Sequence, residues 1–125
     1  MPEHCTGIDI IEIGRIKQAI ERWRERFLNR IFTEPELKLC RGKAQALAAR
    51  FAGKEAVMKA LGTGVRGIGW REIEILAESS GKPLVRLSGK AQAKASELGL
   101  SGFAISLSDS KEYAVAFVIG ETKTS

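Results

Sequence analysis

The chain of 125 residues contains one histidine, His4, and two cysteines, Cys5 and Cys40. A single histidine near the N-terminus argues against a Ser-His-Asp or Cys-His nucleophile system and against a histidine-rich metal site. The cysteines lack the spacing of a metal site, and in a reducing compartment they are predicted to be free thiols. A bound metal would therefore need carboxylate oxygens, which are the ligands of a hard ion such as Mg²⁺.

Long hydrophobic runs are also missing. No apolar stretch approaches the roughly 20 residues that span a bilayer, and the N-terminus lacks the basic region of a signal peptide. The sequence therefore predicts a cytoplasmic protein without a membrane segment. With 44% hydrophobic residues, residues 1–125 fit one domain whose core needs no metal or disulfide.

The formal net charge is +5. A positive chain favours an anionic partner, which is a nucleic acid, a phosphate-rich cofactor or an acidic protein. Composition does not choose among these three classes.

Periodicity predicts mostly helices in the first half of the chain. Residues 7–11 form a short apolar run, which we interpret as a buried strand. Over residues 13–31 the apolar positions recur every three or four residues, as on one helical stripe. Residues 33–36 form a capping box with a proline in the first turn, so a short helix should follow. Residues 44–61 are alanine-rich and predict a long helix.

Strands dominate the second half. They are predicted at 70–77, 83–87, 103–108 and 113–119, with a small helix over about 89–98. Helices followed by strands favour an α+β fold with a small antiparallel sheet over alternating βαβ units.

Two acids stand in apolar surroundings. Asp9 interrupts the first strand, and Glu55 lies at the edge of the apolar face of the 44–61 helix. A carboxylate in such a setting is costly without a cation or hydrogen-bond donors, so the pair suggests one shared cation. The alternatives are that Asp9 belongs to the N-cap region of the next helix and that Glu55 pairs with Lys59 four residues on.

Residues 62–67 match the pattern GxGxxG. A dinucleotide site needs a strand before this pattern and a helix after it, and the predicted order is the reverse, so we reject that interpretation. Two interpretations remain: a plain helix C-cap with a loop, or backbone N–H groups that cradle a phosphate beside Lys59 and Arg66.

Three further features have both a structural and a functional interpretation. Lys54 points into the apolar face of its helix, where its stem packs while its ammonium either reaches solvent or binds a ligand. Gly53, in the same helix, indicates close approach by another backbone or a ligand. The first helix is either a solvated face or a docking surface, and its cations are Arg15, Lys17, Arg22, Arg24, Arg26 and Arg30.

Five segments together resemble the holo-(acyl-carrier-protein) synthase family, the small bacterial 4′-phosphopantetheinyl transferases. They are GIDIIEIGRI at 7–16, RIFTEPEL at 30–37, ARFAGKEAVMKALGTG at 49–64, GKP at 81–83 and ISLSDSKEYAVAFVI at 105–119. The resemblance runs in order through nearly the whole chain, and the KEAxxKAxGTG block combined with the GIDI start is specific.

The resemblance implies an α+β homotrimer with active sites between subunits. It implies transfer of the 4′-phosphopantetheine arm of coenzyme A to a serine of apo acyl carrier protein in fatty acid biosynthesis, with Mg²⁺ as cofactor and release of adenosine 3′,5′-bisphosphate. It also implies that Asp9 and Glu55 hold the metal and act in catalysis together with Lys59. The implied coenzyme A-binding residues are Arg50, Lys54, Lys59, Gly62, Thr63, Gly64, Lys82, Pro83, Ser108 and Asp109. The implied carrier-docking residues are Arg15, Arg22 and Arg26.

One position departs from the family pattern. Asp109 stands where these proteins usually have a histidine, so it either adds negative charge beside the coenzyme A phosphates or serves as another metal ligand. Two alternative functions follow from the same features: a carrier-protein binder disabled by Asp109, and a basic nucleic-acid-binding module. The second alternative leaves Asp9 and Glu55 unexplained, so we expect no nucleic-acid partner.

Overall fold

The computed structural model describes residues 5–123, which form an α+β fold. The helices are α1 (Ile13–Trp23), α2 (Glu25–Ile31), α3 (Glu34–Cys40), α4 (Ala44–Leu61) and α5 (Gly89–Glu97). The strands are β1 (Thr6–Glu12), β2 (Ile73–Ala77), β3 (Pro83–Leu87), β4 (Leu100–Asp109) and β5 (Tyr113–Thr122). A single 3₁₀ turn, Trp70–Glu72, precedes β2.

Two antiparallel sheets confirm the predicted sheet type. One has three strands in the order β1-β5-β4, and the other is the β2-β3 hairpin. Asp9 pairs with Ala116 on β5, which in turn pairs with Leu107 on β4. This register places Asp9 on the edge strand, on the sheet face that packs against α4.

Helix α4 lies at the centre of the core because its alanines and larger apolar residues are buried on several sides. It packs unusually close to β1. A Cβ atom at Gly7 would lie 1.8 Å from the carbonyl oxygen of Ala56, so only glycine permits this approach. The contact fixes the distance between the elements that carry Asp9 and Glu55.

The predicted single helical stripe over 13–31 is wrong in one respect. Arg24, with φ of 48° and ψ of −125°, separates α1 from α2. Ile16 and Ile31 remain buried, but Trp23 at the break is 46% exposed. The apolar spacing of three and four residues cannot distinguish a continuous helix from two helices that share one core.

Two other expectations need correction. The first strand is not buried on both faces, because Ile8 is 59% and Ile10 is 61% exposed. Gly53 is closely approached, but by side chains: a Cβ atom there would lie 3.1 Å from Ile75 and 3.3 Å from Ile105. Neither a backbone segment nor a ligand explains this glycine.

Two other expectations are confirmed, the capping box and the free thiols. Thr33 and Glu36 form the capping box of α3, with Pro35 in its first turn. Cys5 and Cys40 are both buried free thiols. Within residues 5–123, no helix has the length and apolar character needed to cross a membrane.

Candidate active site

Asp9 and Glu55 line one cleft at the free edge of β1. Its volume is about 270 Å³. The lining residues are Asp9, Ile10, Ile11, Glu12, Arg15, Glu55 and Tyr113. The cleft also contains Arg15, which the resemblance assigned to carrier docking, and Tyr113, which sequence reasoning did not single out.

Asp9 is largely buried, with 12% of its side chain exposed. The Lys59 ammonium donates to its Oδ1 at 3.1 Å and to the backbone oxygen of Ile8 at 2.9 Å. Both structural alternatives for the acids are wrong. Glu12, rather than Asp9, is the N-cap of α1, and within residues 5–123 the ion pair of Lys59 is with Asp9, rather than with Glu55.

Glu55 carries an electrostatic cost. Burial raises the pKa of its carboxyl above the usual range, the negative charge of Asp9 raises it further, and Lys59 offsets part of the effect. An ionised Glu55 at this place therefore gains from an added positive charge. This observation supports a cation between the two acids.

The donor set fits a hard cation with few protein ligands. Among residues 5–123, no group of three or more His, Cys, Asp and Glu side chains is arranged to hold a metal. Mg²⁺ is commonly bound through only one or two carboxylates, with waters and substrate phosphates completing its octahedron. Asp9 and Glu55 meet that requirement, whereas they are too few for a metal cage made only of protein.

The expectation that Lys54 contacts a ligand is wrong. Its side chain is fully buried and forms an ion pair of 2.8 Å with Glu36. The same ammonium donates to the backbone oxygens of Trp70 and Ile73. All its hydrogens are engaged inside the protein, so Lys54 joins α4 to α3 and to the start of β2. The sequence predicted that Lys54 points inward but did not predict its pairing with Glu36. The capping box explained Glu36 by itself and gave no sign that the same carboxylate also binds a lysine.

The glycine-rich segment after α4 is not a dinucleotide-binding motif, which needs a strand before it and a helix after it. Here a helix precedes the segment and a 3₁₀ turn follows it. Gly62 caps α4 with φ of 76°, and the N–H of Thr63 donates to the Met58 oxygen at 3.2 Å. The loop also lines a cleft of about 260 Å³. Its lining residues are Thr63, Arg66, Gly67, Ile68, Lys90, Ala93, Lys94 and Glu97.

The cleft beside the glycine-rich loop contains two lysines, Lys90 and Lys94, that the sequence analysis did not place there. Lys90 and Lys94 lie on α5, one turn apart, opposite Arg66. Their helical spacing was the available signal, but only the tertiary fold brings α5 against the loop. The phosphate-cradle interpretation gains positive charge from this arrangement and remains a prediction.

The other expected coenzyme A residues lie elsewhere in the chain. Lys82 and Pro83 line a cleft of about 410 Å³ that also includes Phe117 and Ile119. Asp109 is exposed at the end of β4 and does not line the cleft of Asp9, because it lies across β5 from Ile11. Ser108, its neighbour, is also exposed. One chain therefore does not gather all the expected residues at one place.

Arg50, another of the expected coenzyme A residues, is only partly accessible on α4. It is half-buried, and its Nε atom is buried with no hydrogen-bond partner within residues 5–123. Burial raises the pKa of the nearby Cys40 thiol, and the positive charge of Arg50 offsets part of that effect.

The basic surface around the α1–α2 break contains aromatic rings as well as cations. The guanidinium of Arg22 lies 5.0 Å from the centre of the Trp23 ring, and that of Arg26 lies 5.8 Å from it. A cleft of about 610 Å³ opens beside them. Its lining residues are Trp23, Arg26, Phe27, Arg30, Ile31, Phe51 and Trp70. Sequence reasoning found the cations and missed the stacking of Phe51 on Trp70, at 5.0 Å between ring centres.

Comparisons with known proteins agree with this architecture. Residues 5–118 match the model of the 4′-phosphopantetheinyl transferase superfamily. The holo-[acyl-carrier-protein] synthase of Herpetosiphon aurantiacus is 53% identical over 122 residues, which cover 92% of this chain and 96% of that protein. The synthase of Dehalococcoides mccartyi strain 195 is 53% identical over 116 residues, covering 93% and 97%.

Solved structures give the same result. The Helicobacter pylori holo-[acyl-carrier-protein] synthase, crystallised with coenzyme A, superposes with a TM-score of 0.85 at 32% identity and covers 93% of this chain and 99% of that one. The Neisseria meningitidis synthase superposes with a TM-score of 0.84 at 38% identity, covering 94% and 98%. The chain therefore belongs to the holo-[acyl-carrier-protein] synthase family of 4′-phosphopantetheinyl transferases.

Proposed function

We propose that this enzyme transfers the 4′-phosphopantetheine arm of coenzyme A to a serine hydroxyl of an apo acyl carrier protein. The reaction depends on Mg²⁺ and releases adenosine 3′,5′-bisphosphate. The observation that carries the proposal is the cleft in which Asp9, Glu55 and Arg15 meet, with Lys59 bound to Asp9. It combines a cation site, a phosphate-binding ammonium and a basic residue for the acidic carrier.

The chemistry divides between the cation and the side chains. Mg²⁺ held by Asp9 and Glu55 would neutralise charge on the diphosphate of coenzyme A and favour attack at phosphorus. The Lys59 ammonium, with 55% of its side chain exposed, binds a phosphate oxygen beside the two acids. The serine nucleophile belongs to the carrier protein, which explains why the chain needs no histidine-activated nucleophile of its own.

The adenosine end of coenzyme A requires more cations and backbone donors. The loop of Gly62, Thr63 and Gly64 follows Lys59 directly, and Arg66 adds charge in the adjoining cleft. Arg50 also carries a guanidinium Nε without a partner among the described residues. The loop and Arg66 extend the positive charge beyond Lys59 at the C-terminal end of α4, whereas Arg50 lies on the N-terminal side of Glu55. Positive groups at separate places suit an elongated ligand with phosphates at separate positions.

We propose that the enzyme is a homotrimer with its active sites between subunits. The sheet face opposite α4 exposes large apolar side chains in one chain. Ile8, Ile10, Phe117 and Ile119 on this face are between 39% and 61% exposed. The Lys82 and Pro83 cleft includes Phe117 and Ile119, so an interface on this face would bring Lys82, Pro83, Ser108 and Asp109 to a neighbouring subunit.

Sedimentation equilibrium tests the assembly. A trimer mass is expected for the wild type, and Phe117→Glu should lower it by placing a charge in the apolar interface. Val65→Glu is the matched control, because Val65 is 58% exposed outside this face. A monomeric wild type would contradict the proposal, as would a Phe117→Glu variant that remains trimeric.

The carrier protein docks on the basic surface of α1 and α2. Arg15 lies at the acid cleft, and Arg22 and Arg26 flank the exposed Trp23 ring. An acidic carrier is attracted to this surface, and the serine it presents is thereby directed toward Asp9 and Glu55. The nearby aromatic cleft would accept apolar side chains of the same partner.

Incubation with coenzyme A, Mg²⁺ and an apo acyl carrier protein tests the reaction by intact-protein mass spectrometry. We expect the carrier to gain the phosphopantetheine mass and EDTA to abolish the gain. Wild-type transfer in excess EDTA would contradict the role of the cation. Carrier binding without any mass gain would contradict transfer itself.

A further inference from the structure

Lys59, in the last turn of α4, contacts one of the two acids of the cleft. Its ammonium donates to Oδ1 of Asp9 at 3.1 Å and to the backbone oxygen of Ile8 at 2.9 Å. Its side chain is 55% exposed, whereas Asp9 is only 12% exposed. The lysine is therefore the solvent-exposed partner of a largely buried carboxylate.

The Ile8 oxygen makes this contact specific. Among residues 5–123, β1 pairs with β5 alone, so no other described strand pairs with the backbone groups at its other edge. Lys59 reaches that edge from the last turn of α4 and satisfies one such oxygen together with the carboxylate. An ammonium held by two oxygens from β1 thus occupies one side of the proposed cation site.

A divalent cation and this ammonium compete for the same carboxylate. If both bind Oδ1, the ammonium and the cation lie against the same oxygen and repel each other. If the metal uses Oδ2, the ammonium still lies within a few ångströms of it, and a +1 and a +2 charge at that distance repel each other. Either geometry makes the Lys59 contact and metal binding mutually unfavourable.

We propose that Lys59 is an exchangeable counter-ion of Asp9: metal binding displaces its ammonium, which then binds a phosphate of coenzyme A. This inference rests on the proposed function, since it uses the same acids and the same ligand. It adds a sequence of contacts, in which the Lys59 ammonium binds Asp9 before the metal binds and a phosphate afterwards. Because the lysine side chain is long and flexible, its ammonium can move from Asp9 to a phosphate without movement of α4.

Exchange has a consequence that an ordinary stabilising ion pair lacks. Removal of the Lys59 charge should tighten the binding of a divalent cation to the protein alone, because the competitor is gone. The same change should weaken the binding of adenosine 3′,5′-bisphosphate, because a phosphate partner is lost. A partly exposed ion pair suggests an effect of about fivefold on each affinity.

The experiment measures Mn²⁺ binding by electron paramagnetic resonance without nucleotide, and binding of adenosine 3′,5′-bisphosphate by calorimetry in EDTA. Lys59→Met should bind Mn²⁺ about fivefold more tightly and the nucleotide about fivefold more weakly than the wild type. Lys59→Arg keeps the charge and should bind Mn²⁺ no more tightly than the wild type. Lys38→Met, an exposed α3 lysine, is the control for loss of a charge elsewhere.

The Asp9→Asn variant distinguishes failure of the proposed metal site from failure of the Lys59 exchange. If Asp9→Asn loses Mn²⁺ binding while Lys59→Met binds it as the wild type does or more weakly, the metal site holds and the exchange is wrong. If Asp9→Asn and Lys59→Met both bind Mn²⁺ as the wild type does, the proposed metal site is wrong and the exchange fails with it. Opposite changes in metal and nucleotide affinity for Lys59→Met support the exchange.

Discussion

Replacement of Lys54 by methionine should destabilise the protein strongly while leaving a side chain of similar length. The ammonium of Lys54 is buried with Glu36 at 2.8 Å and also donates to the backbone oxygens of Trp70 and Ile73. Methionine removes all three contacts at once. Glu36 then keeps its negative charge inside the core without a cation.

Glu36 is not left without donors, and this limits the loss. It still accepts from the N–H of Thr33 at 2.9 Å and from the N–H of Ile75 at 2.8 Å. Breaking one side of a buried ion pair costs about 3–5 kcal/mol, so we expect Lys54→Met to lose about 3 kcal/mol of the free energy of unfolding. The double variant Lys54→Met, Glu36→Gln should cost less than the two single changes together, because no isolated charge remains.

Equilibrium urea unfolding at several protein concentrations measures these differences and separates folding from any subunit dissociation. Lys94→Met is the matched control, since Lys94 pairs with Glu97 at the surface at 3.7 Å and should cost less than about 1 kcal/mol. A loss below about 1 kcal/mol for Lys54→Met would refute the structural role of this lysine.

Three further predictions concern the cleft and its surroundings. Because burial and the charge of Asp9 raise the pKa of Glu55, its ionised form destabilises the native state above that pKa. Glu55→Gln should therefore increase the free energy of unfolding at pH 7 in EDTA. This increase should disappear as the pH falls below 4.5, the ordinary pKa of a glutamate carboxyl. An equal increase at pH 3 would contradict the prediction. Arg26→Glu should raise the KM for the carrier about tenfold with little change in kcat, measured at several salt concentrations against Lys38→Glu; an unchanged KM would contradict docking on α2. Asp109→His should tighten coenzyme A binding in calorimetry if Asp109 lies at the coenzyme A site as proposed, since the change removes a negative charge beside the phosphates, whereas a clear loss of affinity and activity would show that Asp109 has a role of its own.

The sequence predicted the features that depend on local pattern. The capping box at Thr33 and the bounds of α4 were accessible because both follow from residue types at fixed spacing. Asp9 and Glu55 could be singled out because each interrupts an apolar pattern, and folding brings them to one cleft.

Long-range partners were beyond the reach of local pattern. The inward direction of Lys54 followed from helix geometry, but its contact with Glu36 depends on how α3 packs against α4. The pairing of Lys59 with Asp9 joins residues 50 positions apart, so the local pair with Glu55 was the only one that spacing could suggest. The break at Arg24 was missed because a stripe of apolar residues is compatible with one helix or two.

The most direct test of the central claim is phosphopantetheine transfer by Asp9→Asn under saturating coenzyme A and Mg²⁺, followed by the mass of the carrier protein. We propose that the reaction depends on a cation held by Asp9 and Glu55, and asparagine keeps the size of Asp9 while removing its charge. We expect the wild type to convert the apo carrier completely and the Asp9→Asn variant to leave it unmodified over the same period. Transfer by the variant at the wild-type rate would contradict the account.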